Sequence, residues 1–113
     1  IYFASPGFAD HRREYSEFPL AASVVSRIEV LGYHSLEQDK EKDFEDYFAS
    51  ILVLDMTSEV VERAIGLRQQ RKIGLGDAIV AATALVHELT LATRNTKDFK
   101  WIDSLKLIDP FAD

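Results

Sequence analysis

The run Ile73-Gly-Leu-Gly-Asp-Ala-Ile-Val-Ala-Ala-Thr-Ala-Leu85 constrains this chain more than any other segment. A helix built from Ala78, Ile79, Val80, Ala81, Ala82, Ala84, Leu85 and Val86 has almost no polar face, so it must be buried on most sides. Asp77 stands between a glycine-containing turn and that helix, which therefore projects an acid into an interior cleft. Taken alone, Asp77 reads equally well as a cap that accepts hydrogen bonds from the free amides of the first turn. Two further segments, Ser26-Arg27-Ile28-Glu29-Val30-Leu31-Gly32 and Thr93-Arg94-Asn95-Thr96-Lys97-Asp98-Phe99, also set an acid beside apolar residues at the edge of an expected element. Three such acids suggest a metal site.

The 113 residues, 47% hydrophobic, suffice for one domain with a real core. With no cysteine, disulfides and thiolate metal sites are excluded. No apolar run is long enough to span a bilayer and no signal peptide is visible, so the expected location is cytoplasmic. The net charge of −6 argues against holding nucleic acid through bulk positive charge. That charge is concentrated, because residues 37–46 carry Glu37, Asp39, Glu41, Asp43, Glu45 and Asp46 against Lys40 and Lys42, which leaves only −2 for the rest. A basic patch elsewhere remains open, and carboxylates gathered round a cation are neutralised in a working site.

Along the chain, residues 1–8 read as the end of an element broken at Pro6-Gly7, and Asp10 to Glu17 as a short exposed helix ended by Pro19. Strands are expected at 20–24, 51–54, 90–93 and 105–108. Helices are expected from Val25, from about Leu36 to Ala49 with Phe44, Tyr47 and Phe48 inward, from Thr57 to the basic Arg68–Lys72 segment, and from Asp77 to His87. Strands alternating with helices predict an α/β fold, a doubly wound parallel sheet with helices on both faces. In such sheets ligands bind beyond the carboxyl ends of the strands, and Glu29, Asp77 and Asp98 would meet on that rim.

Each acid has an ordinary reading. Glu29 could be a solvated helix residue paired with Arg27, Asp98 a turn residue, and Asn95 the head of an Asx-turn. The joint pattern carries the argument, because carboxylate oxygens suit magnesium and manganese, and such ions activate water against a phosphodiester. Other chemistries find less support. His11, His34 and His87 lack ligand spacing, no serine sits in a nucleophile elbow, and Gly74-Leu-Gly76 reads as a turn rather than a phosphate cradle. Phe99 and Trp101 read as core plugs, and Arg27, Arg94, Lys97 and Lys100 as candidates for backbone phosphates.

Ser23-Val-Val-Ser-Arg-Ile-Glu-Val-Leu-Gly32, Leu75-Gly-Asp-Ala-Ile-Val-Ala-Ala-Thr83 and Leu91-Ala-Thr-Arg-Asn-Thr-Lys-Asp-Phe99 together resemble the PIN-domain family, and within it the VapC-like toxins of toxin–antitoxin pairs. The resemblance runs nearly end to end and implies a single PIN-like domain over 1–113. It implies that Glu29, Asp77 and Asp98 are metal-site carboxylates and catalytic, with Asn95 and Asp98 sharing the last position and Thr93 orienting that loop. It also implies Mg2+ or Mn2+ as cofactor, RNA as substrate, a cognate antitoxin as partner, and a homodimer with no membrane association. The family's first acid lies at the end of an opening strand, in a Leu-Asp-Thr-Asn-like motif, and this sequence begins just after where that motif falls. Ile1-Tyr-Phe-Ala looks like the helix that follows it, so the expectation is that the first strand and its acid precede Ile1. The expected function is a metal-dependent endoribonuclease toxin; the alternatives are a catalytically incomplete PIN-like interaction module and, more remotely, a receiver-like signalling domain.

Overall fold

In a computed structural model, which describes residues 2–4 and 20–109, strands and helices alternate. The order is β1 (Tyr2–Ala4), β2 (Leu20–Ser23), α1 (Val24–Leu31), α2 (Gln38–Ser50), β3 (Leu52–Leu54), α3 (Ser58–Gln70), α4 (Leu75–Val86), β4 (Thr90–Ala92), a 3-10 turn (Thr96–Asp98) and β5 (Leu107–Ile108). The break at Pro6-Gly7 and the helix expected over 10–17 lie outside the described residues.

The sheet runs β3-β2-β1-β4-β5. β2 pairs parallel with β3 and β4 parallel with β5, while β1 lies antiparallel between β2 and β4. Four strands thus share the expected direction and the middle one opposes them. Tyr2–Ala4 is a strand, where the sequence reading expected a helix. Tyr-Phe is a β-favouring pair, and the facing edges of β2 and β4 present backbone groups that only an extended segment can pair. Three residues are too few for periodicity to reveal this.

Helix ends follow local chemistry. Ser23 caps α1, its hydroxyl accepting the Val25 amide at 3.1 Å. Gly32 stops it, donating its amide to Ile28 O at 2.7 Å where a Cβ would lie 2.5 Å from that oxygen. Thr57 caps α3 through the Val60 amide at 3.3 Å, and Arg68 in its last turn donates to Ile73 O at 2.7 Å, tying the helix end to the next loop. α4 closes through Glu88, whose φ of 55° is left-handed, with the Leu89 amide donated back to Ala84 O at 2.9 Å.

The core is centred on α4, in which Ala78 to Ala84 are all buried. Its one polar side chain there, Thr83, donates to Ile79 O at 2.6 Å and so avoids an unpaired hydroxyl. α3 contributes Val60, Ala64 and Leu67 at helical spacing, and Leu91, Phe99, Ile102 and Leu105 complete the cluster. Full burial of Leu91 or Val60 is worth about 1.5–3 kcal/mol each. On α2 only Phe48 is buried; Phe44 and Tyr47, expected inward, are each 37% exposed. They flank a groove between α1 and α2 rather than a core, because α2 faces α1 and the sheet edge along a narrow stripe.

Candidate metal centre

Asp77 is not the helix cap. Gly74 is the cap residue of α4, and the Ala78 amide bonds to Gly74 O at 2.9 Å, which leaves Asp77 in the first turn with its carboxylate available. An acid there is favoured by the helix dipole. It is half-buried, and burial first, then the charge of Asp98, raises its pKa above the ordinary 3.8.

Asp98 reaches Asp77 through a loop built at the carboxyl end of β4. The Thr93 amide bonds to Ile108 O at 2.9 Å, and its hydroxyl accepts the Asn95 amide at 3.1 Å. Asp98 N–H then bonds to Asn95 O at 3.0 Å, closing the 3-10 turn, while Phe99 next to it is 1% exposed and fastens the turn to the core. Asn95 precedes the turn and its side chain makes no capping bond. Of the two residues left sharing one position by the sequence, Asp98 is the one that faces Asp77.

Asp77 and Asp98 line a cleft of about 260 Å³ together with Arg71, Lys72, Lys97 and Trp101. Glu29 comes to the same region from α1 but to its other side. Its carboxylate lies across the first turn of α4, so that a Cβ on Gly76 would be 3.3 Å from Glu29 Oε1, and it also borders the α1–α2 groove. Among the described residues no group of three or more His, Cys, Asp or Glu side chains lies close enough to hold one ion. The structure therefore brings together two of the three expected acids, while the third, Glu29 on α1, lies against Gly76, the residue before Asp77. Of the basic candidates, Lys97 lines the cleft, whereas Arg27, Arg94 and Lys100 are exposed and outside its lining.

Arg71, Lys72 and Trp101 were missed as site residues. By sequence the first two read as cations suiting a helix dipole and Trp101 as a core plug. The available signal is proximity, since Arg71 and Lys72 sit in the short connection between α3 and α4, a few residues before Asp77. Two hard oxygen donors in one cleft, one of them with its pKa raised by burial and then by the charge of the other, make a donor set that fits a divalent cation, which would offset their repulsion.

The sequence matches the PIN domain over residues 1–105. The chain belongs to the PIN-domain family. Ribonuclease VapC10 of Mycobacterium tuberculosis is 37% identical to it over 99 residues, covering 83% of this chain and 71% of that protein. A toxin–antitoxin complex from Klebsiella pneumoniae contains a chain that superimposes with a TM-score of 0.69 at 32% identity, covering 82% of this chain and 75% of the other. VapBC-1 from nontypeable Haemophilus influenzae gives a TM-score of 0.76 over 93% of this chain and 91% of that one, at 20% identity, a likeness of fold alone. Within the PIN-domain family the chain thus groups with the VapC-like ribonucleases, and PIN-domain ribonucleases of this type depend on a divalent metal. That requirement matches the donor chemistry of the Asp77–Asp98 pair.

Proposed function

We propose that this chain is a Mg2+- or Mn2+-dependent endoribonuclease, the toxin of a toxin–antitoxin pair, acting as one PIN-like domain over 1–113. The observation that carries the proposal is the coupling of Asp77 to Asp98 in one cleft, where the charge of one acid perturbs the other. Asp77 and Asp98 would hold the cation, with Glu29 approaching from α1 across Gly76 as a further carboxylate. When bound, the ion supplies water activation and neutralises charge on the leaving oxygen. The protein's own part is to fix the two acids, one on a buried helix and one on a turn anchored by Thr93 and Phe99, and to set Lys97 beside them for phosphate oxygens.

The partners follow from the same reading. RNA is the substrate, and the named complexes of related folds support a cognate antitoxin. The groove between α1 and α2, lined by Val30, Phe44, Tyr47 and Phe48 with Glu29 at its border, suits an apolar helix or tail of such a partner. The exposed Val61 and Ile65 of α3 are available for a homodimer face. Among the described residues no helix is long and apolar enough to cross a membrane, and the cytoplasm is the proposed location.

The test is cleavage of RNA by the purified protein with Mg2+ or Mn2+, against EDTA and against Asp77→Asn. Loss of cleavage in both controls is expected; metal-independent cleavage, or an Asp77→Asn protein as active as the parent, sinks the proposal. The separation of Glu29 from the acid pair favours one second reading, a catalytically incomplete PIN-like interaction module. Under that reading calorimetry finds no divalent cation bound.

A further inference from the structure

Arg71 ends α3 with an extended backbone (φ −162°, ψ 155°), so its side chain leaves the helix at the mouth of the acid cleft. Its Cζ lies 5.7 Å from the ring centroid of Trp101. The same indole donates its N–H to Asp98 O at 3.0 Å. One side chain therefore seats a guanidinium on its face and fastens an acid-bearing turn by its edge. A cation on an aromatic face keeps its in-plane N–H donors for an anion, and the guanidinium fork matches two phosphate oxygens. Locally, Arg71, Lys72 and Lys97 stand against Asp77 and Asp98. A divalent ion on the acids would leave that cleft strongly cationic within a chain of net charge −6.

We propose that Arg71, seated on Trp101, grips the RNA backbone at a phosphate beside the scissile bond, and that Trp101 is a positioning residue joining that grip to Asp98. The proposal rests on the ribonuclease reading for its substrate. It adds two residues that neither the family match nor the sequence motifs assign.

The test is equilibrium binding of a fluorescently labelled single-stranded RNA oligonucleotide by anisotropy over a salt series, with far-UV circular dichroism melts to confirm folding. Arg71→Gln should weaken binding about tenfold and reduce the slope of log affinity against log salt by about 0.7, the value of one released counterion on a single strand. Arg71→Lys should lie between. Trp101→Leu should behave like Arg71→Gln, and Trp101→Phe, which keeps a ring face, should restore affinity to within about twofold of the parent. Lys40→Gln on α2, outside the cleft, is the charge control. An Arg71→Gln protein with the parent's affinity and salt slope overturns the proposal, and so does a loss no greater than that of Lys40→Gln. A parent protein that binds RNA with this Arg71 dependence yet cleaves none overturns the ribonuclease reading and leaves the grip standing. A parent that binds no RNA overturns both.

Discussion

Gly76 runs directly beneath the carboxylate of Glu29, so closely that a Cβ there would sit 3.3 Å from Oε1 and 3.6 Å from Oε2. A side chain at the residue before Asp77 would press on the end of Glu29, which would have to give by a few tenths of an ångström. Glycine there lets an acid on α1 lie over the first turn of α4.

Gly76→Ala separates stability from activity. Alanine is the better helix former by about 1 kcal/mol, so the melting temperature should hold or rise slightly. Glu29 must shift by a few tenths of an ångström, and RNA cleavage should fall about tenfold, the scale of a small misplacement at a site. Unchanged turnover in a folded Gly76→Ala protein would show that Glu29 has no part in the chemistry.

The raised pKa of Asp77 fixes the sign of a pH effect. Because its carboxyl holds a proton more tightly in the folded chain than in the unfolded one, metal-free stability should fall as pH rises from below 3.8 through the raised folded value, and level off above it. Asp77→Asn removes that component, so urea midpoints of the parent and the variant in EDTA should diverge across this window. Parallel profiles would contradict the raised pKa of Asp77.

Divalent metal should act in the opposite sense. An ion held by ionised Asp77 and Asp98 binds only the folded state, and at a hundred times its dissociation constant it should add about 2.7 kcal/mol. Asp98→Asn should lose most of that gain in a thermal melt with Mg2+ or Mn2+. A gain of equal size in the variant would move the ion elsewhere.

Thr93→Val keeps shape and removes the acceptor of the Asn95 amide. A cost of about 1–2 kcal/mol is expected, together with weaker metal binding by calorimetry as the Asp98 turn loosens; Thr93→Ser should recover both. Stability loss with unaltered metal affinity would confine Thr93 to a structural role.

Glu88 occupies a left-handed conformation at φ 55° where α4 ends. Glu88→Gly relieves a strain of about 1 kcal/mol against a smaller entropic cost in the unfolded chain, so the urea midpoint should rise modestly while cleavage is unaffected. A lowered midpoint would mean that the side chain stabilises this turn.

Much of the fold was legible because its signals are local. The apolar run of α4, the i, i+4, i+7 spacing of Val60, Ala64 and Leu67, and the Thr57 start of α3 each state a burial pattern within a dozen residues, and the elements stand within a few residues of where the spacing puts them. The exceptions have local causes too. Tyr2–Ala4 is too short for its periodicity to speak, and Phe44 and Tyr47 obey an inward spacing on a helix that covers only one narrow stripe.

By itself the sequence determined that an acid stands on the first turn of a buried helix and that other acids end neighbouring elements, because both follow from hydrophobic spacing and chain order. The tertiary structure alone decided which of them meet. Asp98 rather than Asn95 faces Asp77, Glu29 lies across Gly76 instead of joining the pair, and Arg71 rests on Trp101. These are contacts across connections of different lengths, and their geometry is set by how α1, α3 and the β4 loop pack against α4, a property of the assembled core and of no single segment.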